Sequence, residues 1–494
     1  MKAATTERLR RTVNALAFAG ALLPQAGITD ELMNYCLEQI DTIGAPQQDP
    51  LTRHRQFGQL ILLQDQLKYL AQSGNSDDLG RCSLMLNAAL GHYRPQPPPN
   101  PARLALEAQL SHLDKGALKT LTIGNQRCWQ GVETDPDKSL DLATGPVSRY
   151  LNQASDPLCR ERVWTAFQNR AEPDGARPAR LYRELAEQAA TARGYASDAH
   201  LQLSQTPLKT PQQVQRFLES LVPQDNTLPW QPAARHPALS TSPERLARDS
   251  LAEVATRLGL TLFAINDEHW QLWDGDRLLG YLHLSPSEQS RHLVLQSNWT
   301  GLSPAVVEMQ YRQASWYPRH WHQWIARTAD TMVNIAGQPL PYQTTGDNGA
   351  GYGFGRALSR DPAVQKALLG HTLPSRPMFD AQSLYEARMG LAVASQVPWS
   401  PTALKTISDN LFAHYFQRPA PKGLTPWASH SSWLMAGART YLPFWYAVQG
   451  RTLLEQSQSG QLSPEEVWLQ LAFPGQPPPN QTQKSPAEFA GPSD

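Results

Sequence analysis

The stretch that decides the fold is GLSPAVVEMQYRQASWYPRHWHQWIARTADTMVNIA, residues 301–336. Pro318 suits the first turn of a helix, where its missing N–H leaves no helical hydrogen bond unmade. Neither glycine nor proline follows it before Ala336, so the sequence predicts one uninterrupted helix to that residue. His322 and Ala326 are four residues apart and therefore share a face of this helix.

Composition sets the class of protein. The 494 residues carry 44 basic and 44 acidic side chains. This balance gives no reason to expect nucleic acid or an anionic membrane as a partner. Beyond the N-terminus, no apolar run approaches the ~20 residues that cross a bilayer, so we expect no integral membrane segment. Helical periodicities recur and strand signals are few, which predicts a mostly α protein.

The clearest strand signal is HWQLWDGDRLLGYLHL, residues 269–284. Its two alternating runs flank the tight-turn sequence DGD at 274–276, which predicts a β-hairpin just before the helix that begins at Pro318. The glycine-rich stretch GDNGAGYGFG, 346–355, lacks the G-K-[ST] ending of a phosphate loop. We interpret it as a flexible turn.

Proline-rich and apolar-poor stretches divide the chain. The sequence PQPPPNP at 95–101 cannot be helical. We therefore predict an N-terminal helical region over 1–95 and a helical body over 96–474. The remaining residues, 475–494, contain almost no apolar side chains and are predicted to be a disordered tail.

The N-terminus has two interpretations. Four basic residues precede the apolar run 13–23, as in a secretory signal, but Glu7 and Asn14 and the many alanines argue against one. We favour a first core helix and a cytoplasmic protein. The alternative is that residues 1–26 are a signal peptide and the protein is periplasmic.

The cysteines indicate no special chemistry. They are far apart and form no CxxC pair, so the sequence indicates neither a metal knuckle nor a disulfide framework. Cys159 lies near a predicted helix, and we expect it in the core. The four are Cys36, Cys82, Cys128 and Cys159.

Several segments between about residues 100 and 473 follow one another in an order that a known family shares: 160–182, ARGY at 192–195, 217–218, LGL at 258–260 with the hairpin after it, 383–395 and 430–447. This order resembles the thimet oligopeptidase / oligoendopeptidase family of zinc peptidases. The resemblance implies a mostly α, two-lobed helical clamshell with a small β-hairpin or sheet before the zinc helix.

The family's zinc helix carries His-Glu-x-x-His, two imidazoles for the metal and a carboxylate that takes the proton of the attacking water. In this chain the aligned positions hold one histidine, a glutamine and an alanine. A catalytic zinc needs three protein ligands, so one imidazole does not hold it. A glutamine amide is not basic enough to take the proton of the water. The resemblance therefore implies an inactive relative without metal or cofactor. The vestigial positions are His322, Gln323, Ala326 and, for the third ligand, Gly349.

Other sites are less favoured. His320 and His322 are two residues apart and do not share a helix face, so we favour solvated or hydrogen-bonded histidines over a metal site with His283 or His292. A Ser-His-Asp triad stays open, but the SHS sequence at 429–431 has no G-x-S-x-G elbow around it.

Three functions remain. The leading hypothesis is a pseudopeptidase that binds a peptide or protein partner in or near the former catalytic cleft. The alternatives are a hydrolase with a remodelled or zinc-independent site, and a structural or assembly protein whose cleft is plugged. The aromatic candidates suit packing equally well. The peptide-binding candidates are Trp316, Tyr317, His320, Trp324, His430, Tyr441 and Tyr446.

Overall fold

A computed structural model describes residues 100–115, 119–132, 139–223, 225–232, 236–296, 304–336, 349–374 and 378–472. Helices predominate in it, which confirms the mostly α prediction. The predicted regions 1–95 and 475–494 lie outside these residues, and so do Cys36 and Cys82. Within the described ranges, every helix is too short or too polar to cross a membrane.

The helices and strands are named here in chain order. The helices are α1 (Pro101–Asp114), α2 (Thr144–Gln153), α3 (Pro157–Gln168), α4 (Ala176–Ala192), α5 (Asp198–Leu203), α6 (Pro211–Ser220), α7 (Pro243–Arg257), α8 (Pro318–Ala336), α9 (Ala350–Leu358), α10 (Pro362–Leu369), α11 (Ala381–Ser395), α12 (Pro401–Phe416), α13 (Ser431–Ala436), α14 (Leu442–Gln458) and α15 (Pro464–Ala472). The strands are β1 (Thr120–Thr122), β2 (Ser139–Asp141), β3 (Thr261–Ala264), β4 (His269–Asp274), β5 (Arg277–Ser287), β6 (Arg291–Gln296) and β7 (Ala305–Arg312).

The chain forms two compact units. The first contains the described residues of Leu260–Gln310 and those of 332–336, and the second contains the other described residues. The five-stranded sheet belongs to the first unit, and the two-stranded sheet β1-β2 belongs to the second. The sequence prediction of one helical body over 96–474 stays a prediction.

Many of the prolines begin helices. In α3, α6, α7, α10 and α12 the preceding residue accepts a backbone N–H of the first turn with its side chain, and the proline occupies a position whose N–H is not needed. At α6 the capping box is complete, because Gln213 bonds back to the N-cap backbone. The pairs are Asp156-Pro157, Thr210-Pro211, Ser242-Pro243, Asp361-Pro362 and Ser400-Pro401.

The first unit is built on a five-stranded sheet with the strand order β3-β4-β5-β7-β6. Strands β4 and β5 form the predicted hairpin, whose turn uses Gly275 at φ +55°. The register shifts by one residue between Leu272 and Trp273, so Leu279 is an extra, bulged residue in β5. The Cα partners include Asp274↔Arg277, Trp273↔Leu278, Leu272↔Gly280 and His269↔His283.

A disulfide lies in one core of the second unit, contrary to the expectation from cysteine spacing. Cys128 and Cys159 are 31 residues apart in sequence, and their Cα atoms are 5.4 Å apart. Cys159 is buried, as predicted. Tyr150 donates its hydroxyl to the carbonyl of Cys128 at 2.7 Å and packs edge-on against Trp129. Folding thus brings together two cysteines that the sequence separates.

A buried guanidinium ties several helices of the second unit together. Arg183 is 1% exposed. It donates to Asp198 at 2.6 Å, to Glu187 at 2.7 Å and to the carbonyl of Ala394 at 2.6 Å. Gln202 also donates to Asp198, at 2.7 Å. These bonds connect α4, α5 and α11, so the charges are buried with partners rather than alone.

Candidate functional site

Helix α8 covers the predicted range, and its own side chains fix its first turn. His320 accepts the backbone N–H of Tyr317 on Nδ1 at 3.2 Å, and the two rings meet edge-on with centroids 5.6 Å apart. Burial, with Arg319 and Arg312 close by, lowers the pKa of His320, which favours the neutral ring near pH 7. Tyr317 stays 41% exposed. The start of α8 therefore presents a phenol ring beside a neutral imidazole.

Ala326, the position predicted for the second zinc ligand, lies at the contact of α8 with α9. Ala326 is fully buried. A Cβ built on Gly355 would lie 2.6 Å from the Cα of Ala326 and 2.9 Å from the Cβ of Ala329. His322 is half-buried and Gln323 is exposed. Because Ala326 is fully buried and α9 passes this close to its backbone, an imidazole at position 326 would overpack the contact.

The position predicted for the third ligand serves to pack α9. Gly349 lies directly against the Asp330 carboxylate, and a Cβ at this position would overlap Oδ1. Asp330 accepts the N–H of Tyr352 at 3.1 Å, which satisfies a backbone donor in the first turn of α9. Across the described ranges, one group of three histidine or acidic side chains can meet at a metal, and it does not include His322.

The glycine-rich stretch is helical where the structure describes it, so its interpretation as a flexible turn is wrong. Helix α9 runs from Ala350 and uses its glycines for close contact with α14. A Cβ on Gly353 would overlap the carbonyl of Tyr446, and one on Gly450 would overlap the backbone at Gly353. Glycine costs about 1 kcal/mol in a helix relative to alanine. Here it lets two helix backbones approach more closely than any larger residue would.

Three of the predicted peptide-binding residues are core residues. Trp316 and Tyr441 are 0% exposed and Trp324 is 1% exposed. Trp324 donates its indole N–H to the carbonyl of Ala247 at 3.3 Å, and the Tyr441 hydroxyl accepts the N–H of Leu208 at 3.0 Å. A fully buried ring cannot contact a peptide. These three side chains therefore pack in the core. The other four candidates, Tyr317, His320, His430 and Tyr446, are at least partly exposed.

His430 lies in a polar cluster with Gln168. Its Nε2 is 2.6 Å from Oε1 of Gln168, and its ring stacks on Trp433 with centroids 4.1 Å apart. Burial lowers the pKa of His430 to about 3, with the positive charge of Arg170 adding to the effect and Asp114 opposing it. The ring is therefore neutral near pH 7 and donates to the glutamine oxygen.

The serines beside His430 do not form a triad with it. Ser431 donates its hydroxyl to the Asp114 carboxylate at 2.7 Å, and the same carboxylate pairs with Arg170. Ser429 accepts the N–H of Ala171 at 2.9 Å on its hydroxyl oxygen. A serine nucleophile needs its hydroxyl directed at a base, and here the Ser431 hydroxyl is directed at the carboxylate. The cluster connects α1, α3 and α13 as structural contacts.

No family model matches the chain, and no curated protein matches it. The resemblance to the thimet oligopeptidase / oligoendopeptidase family therefore stays a prediction from sequence motifs. The chemistry of the α8 region follows from its own residues, which offer one half-buried imidazole, an amide and a buried methyl group where a zinc peptidase would need two imidazoles and a carboxylate.

Proposed function

We propose that this chain is a catalytically inactive relative of the thimet oligopeptidase / oligoendopeptidase family, with that family's two-lobed clamshell, and that it binds a peptide or protein partner near the start of α8. The contact between Ala326 and Gly355 carries the first part of the proposal. Because Gly355 of α9 packs against Ala326, the residue that the resemblance aligns with the second zinc ligand, a histidine at 326 would overpack this contact. Loss of the zinc site thus involves packing as well as residue identity.

The binding part of the proposal rests on the exposed start of α8. Tyr317 is among the large side chains with substantial exposure, and Arg319 beside it is exposed as well. An exposed aromatic ring two residues from an exposed arginine suits a segment that carries an apolar side chain close to a carboxylate. We therefore infer that the partner is an acidic peptide or the acidic surface of a protein.

We also infer an oxidising compartment. The Cys128–Cys159 bridge supports this, since disulfides persist in secreted and periplasmic proteins and are kept reduced in the cytosol. The bridge supports the periplasmic alternative over the cytoplasmic one.

Catalysis is tested with a quenched-fluorescent peptide library, using tag-free protein with and without added Zn²⁺. We expect no cleavage from the natural chain or from the variant Gln323→Glu/Ala326→His, which restores the motif in sequence only. His322→Ala is the control that shows whether any cleavage depends on zinc bound at α8. Chelator-sensitive cleavage that His322→Ala abolishes would overturn the inactive assignment.

Binding is tested by fluorescence polarisation with a library of acidic and basic peptides. We expect acidic peptides to bind and Tyr317→Ala or Arg319→Ala to weaken them by about tenfold, the loss of roughly one charged hydrogen bond or aromatic contact. Tyr281→Ala is the matched control, because Tyr281 is also an exposed tyrosine, at 37%. Equal binding by Tyr317→Ala and Tyr281→Ala would contradict the proposal and favour the structural or assembly alternative, which the buried Trp316 and Trp324 also suit.

A further inference from the structure

The outward face of the five-stranded sheet carries two histidines side by side. Along β4 and β5 the side chains alternate, with Trp270 and Leu282 buried and His269 and His283 on the opposite, more exposed face. The register places these two histidines directly opposite each other. Their rings stack with centroids 4.5 Å apart and an interplanar angle of 11°.

The β-bulge creates this pairing. Counted from Asp274↔Arg277 without a bulge, His269 would face Leu282, whose side chain is buried. The extra residue Leu279 shifts the register by one, so His269 faces His283 instead. A register shift of one residue changes which face every later side chain occupies. Here it brings two imidazoles onto one exposed face.

A third ligand lies beside the histidines. The ligand atoms of Glu268, His269 and His283 all lie within 4.8 Å of one another. Zn²⁺ bonds nitrogen and oxygen at about 2.0–2.2 Å in a tetrahedron, so its ligands lie roughly 3.3 Å apart. The ligand atoms must therefore approach one another by at most about 1.5 Å and turn their lone pairs inward, which partly exposed side chains do by rotating about their χ angles.

The hydrogen bonds of Asn266 indicate which nitrogen of His269 carries the proton. Asn266 accepts the backbone N–H groups of Glu268 and His269 on Oδ1, both at 2.9 Å, which sets the orientation of its amide. Oδ1 also lies 3.0 Å from Nδ1 of His269. Nδ1 must therefore carry the proton and donate it, which leaves the lone pair on Nε2. Metal-binding histidines are commonly held in this way by a carbonyl or carboxylate behind them.

The remaining ligand atoms are uncommitted. Within the described part of the chain, the Glu268 carboxylate makes no ion pair or hydrogen bond, and the ring of His283 makes no hydrogen bond. A second carboxylate, Glu308, lies near His283. Hydrogen bonds from Gln310 and Ser285 lower the pKa of Glu308, with a smaller effect from His283, so it adds negative charge beside the site.

We propose that Glu268, His269 and His283 bind a first-row divalent transition metal ion such as Zn²⁺ on the outward face of the sheet. Two imidazoles and one carboxylate suit Zn²⁺, Cu²⁺, Ni²⁺ and Co²⁺ rather than Mg²⁺ or Ca²⁺, which prefer sets of oxygen ligands. Three protein ligands leave a fourth position open to water or to a donor from a partner. This inference is independent of the proposed function, since no residue of α8 takes part.

The test is metal binding by the tag-free, chelator-treated full chain, measured by calorimetry with Zn²⁺ and by the visible spectrum of Co²⁺. We expect one equivalent of Zn²⁺, at least tenfold weaker binding in His269→Ala and His283→Ala, and no change in His112→Ala, an exposed histidine on α1. About a hundredfold excess of Mg²⁺ should not displace the bound ion. Equal binding by the natural chain and by His269→Ala/His283→Ala, or no binding by either, would overturn the proposal.

Asn266 is proposed as a positioning residue. Asn266→Ala should weaken Zn²⁺ binding about tenfold, while Asn266→Asp, which keeps the acceptor, should restore it. The Co²⁺ spectrum distinguishes positioning from folding, because a folded variant with a misoriented His269 changes the metal bands while its circular dichroism stays the same. Failure of Asn266→Asp to restore binding would remove Asn266 from the site.

Discussion

Ala326 of α8 and Gly355 of α9 touch so closely that a Cβ on Gly355 would lie 2.6 Å from the Cα of Ala326. The atoms that this Cβ would meet belong to the backbone of Ile325 and Ala326 and to the methyl group of Ala329, none of which can rotate away. The contact therefore depends on glycine at 355 and on a small residue at 326. It joins α8 to α9, the next helix in the chain.

Gly355→Ala should destabilise the protein by about 1–3 kcal/mol, because the added methyl group overpacks the contact. Urea unfolding followed by circular dichroism measures the change. Gly145→Ala is the matched control, since a Cβ there has nothing within 4 Å and the residue lies in α2. It should be neutral or slightly stabilising, because alanine is the better helix former. Equal effects of the two substitutions would show that the α8–α9 contact is not tight.

The Cys128–Cys159 bridge should survive purification without reductant. In a non-reduced tryptic digest, the peptide 128–138 should be found joined to the peptide 150–160 by mass spectrometry. Cys128→Ala/Cys159→Ala should lose about 3–4 kcal/mol of stability, as expected for closing a loop of this length. Free thiols at both positions in the untreated protein would contradict the pairing.

Acid should destabilise the protein through His430. Its pKa is about 3 in the folded chain, against about 6.5 in an unfolded one. Between these pH values only the unfolded chain binds the proton, so stability is complete above about pH 6.5 and falls as the pH drops toward 3. His430→Gln should flatten the slope by up to about 1.4 kcal/mol per pH unit.

The measurement for His430 is the unfolding free energy at pH values from 7 down to 4, compared as a slope so that any constant loss from the substitution cancels. His112→Gln at its exposed position on α1 should keep the slope of the natural chain. The His430 prediction is wrong if both variants retain the same pH dependence.

Asp198→Asn should cost about 3–5 kcal/mol, because it leaves the guanidinium of Arg183 buried with one charge partner fewer. The side chains of this pair are 1% and 4% exposed. In Asp249→Asn, which breaks an exposed pair with side chains 75% and 39% exposed, the loss should stay under about 0.5 kcal/mol. Urea unfolding measures both, and a small effect of Asp198→Asn would show that Glu187 alone compensates the charge.

The sequence by itself determined where helices begin and where the hairpin turns, because both depend on residues that are close together in the chain. A Thr-Pro or Asp-Pro pair begins a helix through its own side chain and ring, so the start of α6 at Thr210-Pro211 could be predicted, as could the course of α8 after Pro318. The hairpin over 269–284 followed from alternation around a DGD turn.

Only the tertiary structure decided what depends on distant segments. A helical glycine pattern and a flexible turn look alike until α14 packs against Gly353, and the burial of Trp316 and Trp324 depends on which helices cover them. Cys128 meets Cys159 across 31 residues of sequence. The pairing of His269 with His283 depends on a bulge at Leu279, and which residue of β4 faces which residue of β5 is decided only when the two strands pair. Local rules act within a turn of helix or a tight turn between strands, whereas these contacts form only when whole strands and helices pair and pack.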